Sequence, residues 1–244
     1  MLTAWQDLKI LSHLARGGSR APQHADRLEQ FYRGQADGYD AFRERLLPGR
    51  RELIQALPLR PGAVWIDLGG GTARNLLYAG PALAHLAQVH VIDLSPSLLG
   101  IARRRAEAAG WDNVEVTHAD ATAVDLPDGC ADIVTCSYAL TMIPDWFAAI
   151  DEAHRLLSPG GVIGVVDFYV SRPVAAPLVQ HAAITRHFWP WWFSHSHVQL
   201  HPDHLAYLQR RFTTRALVEA RTPLPYLPVG RVPYYRFVGQ KRYA

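Results

Sequence analysis

Apolar residues recur along the chain with two periods, and the alternation between them outlines the fold. Near the start, Trp5, Leu8, Leu11 and Leu14 in AWQDLKILSHLAR repeat at helical spacing, and Gly17-Gly18 end the run. A second helical stretch occupies residues 24–47, and PGRRELIQALPL runs on to the turn signal Pro61-Gly62. Beyond it, short continuous apolar runs alternate with helical ones. AVWIDLG has the look of a buried strand, and VHVIDLS, VEVTHAD, ADIVTCSYAL and GVIGVVDFYV read as four further strands. PSLLGIARRRAEAAG, closed by Gly110, and AAIDEAHRLLSPGG, with glycines at its end, read as helices between them. That rhythm predicts a mostly parallel sheet with helices on both faces. TTRALVEART and YYRFVGQKR add two strands that pair as an antiparallel hairpin, for seven in all. The expected architecture is a single α/β domain over residues 1–244. It has a helical cap at 1–60 and an insertion between strands five and six at 171–211.

The insertion breaks the pattern. HFWPWWFSHSH, His187 to His197, packs five large aromatic rings and three imidazoles around one proline. Surfaces rarely carry aromatics this dense, and soluble cores rarely need them. A lid, the mouth of an acyl channel, an interfacial anchor and the core of a small subdomain, with Pro190 ending a helix, are all open readings.

Composition narrows the class. Hydrophobic residues make up 49% and charged residues 19%, the balance of a globular protein with a real core. Cys130 and Cys136 have no histidines at zinc-finger spacing, so no metal site is expected, and scarce cysteine points to a reducing compartment. The N-terminal apolar run is interrupted by charges, unlike a signal peptide. No stretch reaches the roughly 20 apolar residues that cross a bilayer. The expectation is a cytoplasmic protein, soluble or peripheral on the inner face of the membrane. A net charge of +3 and a pI of about 9.0 mildly favour anionic partners, lipid headgroups included.

The sharpest motif is VWIDLGGGTARNL. A strand ends at Asp67 and turns through Gly69, Gly70 and Gly71 into a helix, leaving backbone that a ligand can approach closely. Asp93 ends the second strand, where a carboxylate can accept bonds from both ribose hydroxyls, and Asp120 ends the third. All three acids open on the carboxyl edge of the sheet. A pyrophosphate avoids such acids, whereas a ligand with a positive amino end suits them, which favours S-adenosylmethionine over a dinucleotide.

IDLGGGTARN, VIDLSPSLL, HADATAVDLPDGCADIVTCSYALTMIPD and EAHRLLSPGGVIGVVDF resemble class I S-adenosylmethionine-dependent methyltransferases, a Rossmann-like family, over residues 60 to about 170. Ala73 departs from the pattern, standing where many members have a third glycine. The resemblance implies Gly69 and Gly71, with Gly70 between them, against the methionine portion and Asp67 on its ammonium side. It places Asp93 at the ribose, Leu94 in the cofactor site, Leu98 over the adenine face, Asp120 and Ala121 at the adenine edge, and Ser137 and Tyr138 near the sulfonium. Tyr39 matches a tyrosine that closes over the cofactor. S-adenosylhomocysteine is the implied product.

FYRGQADGYDAFRERLLPGRREL and RHFWPWWFSHSHVQLHPDHLAYLQRRF extend the likeness to the N-methyltransferase of betaine-lipid synthesis. That implies three methyl transfers to the amino group of diacylglyceryl-homoserine at a membrane surface, and an aminocarboxypropyl transferase as partner. A nitrogen that becomes permanently cationic is well served by aromatic faces, worth about 0.5–2 kcal/mol each. Tyr32, Tyr39, Tyr138 and rings of the 188–193 cluster, Trp189 and Trp192 among them, are candidates for that role. Solvent or a histidine such as His195 takes the proton. A substrate carboxylate calls for an arginine, for which Arg50 stands beside Arg43 and Arg74. Competing readings are a phosphatidylethanolamine or quinone methyltransferase and a catalytically inactive cofactor-binding partner. The intact strand-end acids argue against the last. Nucleic-acid modification is not expected, since SYALTM stands where an asparagine-proline-proline-tyrosine type motif would be.

Overall fold

The computed structural model of the chain describes Glu29 and residues 46–174, 179–194, 198–224 and 230–243. Its elements are α1 (Arg50–Gln55), β1 (Val64–Leu68), a 3-10 helix (Arg74–His85), β2 (Gln88–Asp93), α2 (Pro96–Ala109), β3 (Val114–His118) and β4 (Ala131–Ser137). They continue with α3 (Trp146–Leu156), β5 (Leu157–Phe168), α4 (Ala183–Ser194), α5 (His204–Arg211), β6 (Thr213–Pro223) and β7 (Arg231–Gln240). The strands form one seven-stranded sheet in the order β3-β2-β1-β4-β5-β7-β6. β1 to β5 run parallel, and β7 pairs antiparallel with both β5 and β6. This is the α/β architecture the alternating pattern predicts. The helices expected before residue 46 lie outside the described residues.

The central strands β1, β4 and β5 are largely buried on both faces, as a covered parallel sheet requires, while the edge strand β3 is only half-buried. Trp65 and Ile133 join one cluster with α1 and the 3-10 helix, while their neighbours Ile66 and Val134 join another with α3 and α5. Local signals set several element ends. α2 starts with Ser95, whose hydroxyl accepts from the Leu98 amide at 3.3 Å, followed by Pro96 at the first helical position. It ends at Gly110, which takes the left-handed conformation with φ 63°.

Three details depart from the sequence reading. The segment after the glycine loop is a 3-10 helix, broken at Gly80 (φ 56°, ψ −136°) just before Pro81. α3 stops at Leu156 rather than at the glycines, because Leu157 already pairs with Ala131 of β4 and Pro159 has no amide to donate. In the insertion, α4 runs through Pro190 to Ser194 instead of ending there.

Candidate active site

The sheet order reverses direction at β1, which has β2 on one side and β4 on the other. Ligands of open α/β sheets bind outside the carboxyl ends of the strands at such a point. A cleft of about 270 Å³ opens there. Gly69 contributes from the loop after β1, Asp93 and Leu94 from the end of β2, and Ala119 to Thr122 from the end of β3. Tyr138, Ala139 and Met142 to Asp145 contribute from the segment after β4.

Gly69 has φ 68°, and a Cβ there would lie 2.5 Å from the Cβ of Ala139. Only glycine lets the loop and the post-β4 segment meet this closely. Ala73 closes the same loop in the left-handed region with φ 57°, so alanine accepts there a conformation that a glycine would take without strain.

Beneath the loop runs a buried chain of hydrogen bonds. Trp65 Nε1 donates to Thr135 Oγ1 at 2.8 Å, Thr135 Oγ1 donates to Asp67 Oδ1 at 2.6 Å, and Asn75 Nδ2 donates to Asp67 Oδ2 at 3.0 Å. A Cβ on Gly70 would lie 3.0 Å from Asp67 Oδ2. Asp67 is therefore packed under the loop, with both oxygens engaged, and does not stand in the cleft wall. Burial pushes its carboxyl up to about 6, against the opposing effect of Thr135 and Asn75.

Asp93 does stand in the wall. Its Oδ2 accepts from the Gly71 amide at 2.9 Å and its Oδ1 from the Ser95 amide at 2.8 Å. These bonds fix the carboxylate and join the glycine loop to the start of α2. Asp120 forms a tight turn, with Oδ1 accepting from the Thr122 amide at 2.9 Å and hydroxyl at 2.8 Å.

Tyr138 is the strained residue of the site. It has φ 54°, a conformation that costs a bulky side chain about 1–3 kcal/mol and persists only where the surroundings enforce it. Three contacts enforce it. Its amide donates to Val166 O at 2.7 Å, its hydroxyl donates to Pro48 O at 2.7 Å, and its ring meets Phe168 edge to face at 4.8 Å. Burial holds the phenol proton on, well above the usual tyrosine range. Tyr138 thus offers the cleft an aromatic ring rather than a base.

Asp167 braces the post-β4 segment from β5. Its Oδ1 accepts from Thr141 Oγ1 at 2.7 Å and the Phe168 amide at 2.8 Å, and its Oδ2 accepts from the Thr141 amide at 3.1 Å. Burial outweighs these bonds and raises the carboxyl to about 7. A carboxyl whose folded pKa lies above its unfolded one destabilises the fold as it ionises. The stability difference between wild type and Asp167→Asn should therefore fall as pH rises from about 4 to about 7, at up to ~1.4 kcal/mol per pH unit, and then level off. Paired denaturant titrations across that range check it.

The remaining expected site residues are placed as follows. Gly71 meets the site through its amide, bonded to Asp93, and Leu94, Ala121 and Asp120 line the cleft. Leu98, expected over the adenine face, is instead buried behind the loop with Met142 and Val198. It points inward because it occupies the buried face of α2, and Leu94 takes the cleft position. Ser137 is buried, its hydroxyl without a partner among the described residues. Arg50 is buried on α1, with its guanidinium 5.8 Å from the Tyr78 ring centre, and is not part of the described cleft wall. Tyr32, Tyr39 and His195 lie outside the described residues.

The aromatic stretch divides by helix face. Trp189 and Phe193, one turn apart, are 3% and 7% exposed and belong to the core. Trp189 is thus a core residue rather than a surface contact, on the same face of α4 as Phe193. Phe193 stacks on Phe168 at 5.3 Å, so a row of rings runs from Tyr138 in the cleft through Phe168 to α4. Ile184, Phe188, Trp191 and Trp192 share the outer face, with Ile184 77% and Trp191 60% exposed.

Cleft residues not singled out from the sequence are Ala119, Thr122, Ala139 and Met142 to Asp145. They follow β3 and β4 directly, and the rule that loops at the carboxyl ends of strands build the site would have found them.

S-adenosylmethionine fits this wall on its chemistry. The described wall carries Asp93, Asp120 and Asp145 and no lysine, arginine or histidine. Such a set suits a cationic ligand with ribose hydroxyls and an amine, and opposes a pyrophosphate. Among the described residues no cluster of three or more histidine, cysteine or acidic side chains could hold a metal ion.

Residues 66–161 match the family model described as methyltransferase domain. The demethylmenaquinone methyltransferase of Geobacillus stearothermophilus is 28% identical over 118 residues, covering 48% of this chain and 50% of that protein. The ubiquinone/menaquinone biosynthesis C-methyltransferase of Coxiella burnetii is 26% identical over 162 residues, 64% of each chain. The chain thus spans about half to two-thirds of the length of these curated relatives. Among solved structures, the [4+2]-cyclase SpnF superposes with a TM-score of 0.70 at 17% identity, over 93% of this chain and 99% of that one. The chain is thus similar to methyltransferases over residues 66–161, and it shares a fold with the solved structures. Because a [4+2]-cyclase shares the fold, the acceptor must be argued from the site.

Proposed function

We propose that the chain binds S-adenosylmethionine in the cleft and methylates the amino group of diacylglyceryl-homoserine three times, giving the trimethylated betaine lipid. The observation that carries the lipid part is the row Tyr138–Phe168–Phe193, which runs from the cleft to the buried face of α4, the helix whose opposite face exposes Ile184, Phe188, Trp191 and Trp192. Exposed tryptophans suit the boundary between water and lipid, where one part of the ring is apolar and the N–H stays wet. The protein would work as a peripheral enzyme on the inner face of a membrane. Among the described residues no helix is long and apolar enough to cross one. An aminocarboxypropyl transferase acting on diacylglycerol would supply the acceptor.

The bound cofactor supplies an electrophilic methyl group on a sulfonium sulfur. Asp93, held by the Gly71 and Ser95 amides, accepts the ribose hydroxyls, and Asp120 and Ala121 meet the adenine edge. Tyr138 presents its ring where the amine gathers positive charge. A cation that has lost its last N–H is still stabilised by a ring face, whereas a hydrogen-bond acceptor no longer serves it. Holding donor and amine in line accounts for much of the acceleration, up to about 7–11 kcal/mol in well-oriented systems. The proton passes to solvent or to a histidine such as His195.

The names of the relatives favour a second reading, C-methylation of a quinol ring. A ring carbon attacks best once its hydroxyl is deprotonated, which calls for a base. Among the described wall residues Tyr138 keeps its proton, and Asp93, Asp120 and Asp145 are engaged in bonds to the backbone. The acceptor test uses purified protein and methyl-labelled donor. Label in diacylglyceryl-homoserine and none in a demethylated menaquinol is the expected result, and the reverse overturns the proposal.

A further inference from the structure

Glu29 stands far from the glycine loop in sequence, yet it reaches the start of α2, next to the cleft residues Asp93 and Leu94. Its Oε2 accepts from the Ser95 hydroxyl at 2.8 Å and from the Ser97 amide at 3.2 Å, and its Oε1 accepts from the Ser97 hydroxyl. Ser95 is fully buried, and it is the residue whose amide donates to Asp93 Oδ1. Its hydroxyl is doubly used, donating to Glu29 while accepting from the Leu98 amide. A carboxylate at this end of the fourteen-residue α2 also meets the positive end of the helix dipole.

We propose that Glu29 is a positioning residue for the ribose-binding carboxylate. It fixes the Ser95 turn, and through the Ser95 amide it fixes the orientation of Asp93. Without Glu29 the buried Ser95 hydroxyl loses its acceptor and the turn is free to rotate, which moves the amide that aims Asp93. The inference rests on the cofactor reading above. It goes further in making a residue of the N-terminal segment control cofactor affinity without touching cofactor or acceptor.

The test is a double-mutant cycle between Glu29 and Asp93, read by calorimetric binding of S-adenosylmethionine, with thermal melts alongside. Glu29→Ala should weaken binding about 10-fold, the scale of a lost charge-assisted hydrogen bond. The rate at saturating cofactor should be little changed. Glu29→Gln keeps an acceptor for Ser95 and should recover most of the affinity. In an Asp93→Ala background, Glu29→Ala should have no further effect, because the group it positions is gone. Unchanged affinity in folded Glu29→Ala, or losses that multiply in the double variant, overturns the proposal. If the wild-type chain itself fails to bind S-adenosylmethionine, the cofactor reading fails. Hydrogen exchange then decides the positioning role. Faster exchange of the Ser95 and Gly71 amides in Glu29→Ala supports it, and unaltered exchange ends it.

Discussion

Asp93→Ala should weaken binding of S-adenosylmethionine by ~100-fold. Each hydrogen bond from a ribose hydroxyl to a carboxylate is worth about 1.5–3 kcal/mol, and two are lost together. The structure adds a second loss. The Gly71 and Ser95 amides, at 2.9 and 2.8 Å from the two carboxylate oxygens, lose their acceptor. The glycine loop and the start of α2 then part, on the two sides of the same wall. Asp93→Asn should be little better, because its NH₂ would face one of those amides. Isothermal calorimetry on folded variants decides the matter. Affinity within a few-fold of wild type removes Asp93 from the cofactor site.

The second large effect is expected on α4. Replacing Trp191 and Trp192 together by alanine should collapse kcat/KM for a long-chain lipid acceptor and spare a short-chain, water-soluble analogue. At 60% and 39% exposure the two rings present about one tryptophan's worth of surface. At roughly 250 Å² and 25 cal/mol per Å², that is up to ~6 kcal/mol of membrane or acyl contact. The melting temperature should hold, because neither ring is in the core. Trp189→Ala should do the opposite. That ring is 3% exposed and packs in the main cluster, so its loss should destabilise the fold by about 3–5 kcal/mol and harm both acceptors alike. Equal losses on both acceptors with a lowered melt in the Trp191/Trp192 variant would end the idea of lipid contact.

This contrast between neighbouring tryptophans shows where the sequence is legible and where it stops. The strands were readable because a buried parallel sheet demands unbroken apolar runs, and AVWIDLG and VHVIDLS are such runs. Their terminal acids marked the site because a strand end has only one place to project. Asp67 looked equivalent to Asp93 by that rule. What separates them is Thr135 and Asn75, which close over Asp67 from 68 and 8 residues away and are invisible to spacing. Within HFWPWWFSHSH, helical periodicity would have sorted Trp189 and Phe193 from Trp191 and Trp192. Pro190 suggested that the helix ends, and the sorting was lost with it. The left-handed backbone of Tyr138 follows from Val166, Pro48 and Phe168 together and has no local signature. Glu29 is a further case, being 66 residues from the serine it holds.

The most direct measurement of the central claim is lipid mass spectrometry of cells that make diacylglyceryl-homoserine and express this chain. The account predicts mono-, di- and trimethylated forms of that lipid, with the trimethylated form dominant and all three labelled when the methionine methyl group is labelled. The Asp93→Ala variant should leave the homoserine lipid unmethylated. An unchanged homoserine lipid in cells expressing the wild-type chain, with label appearing instead on a quinone ring carbon, would contradict it.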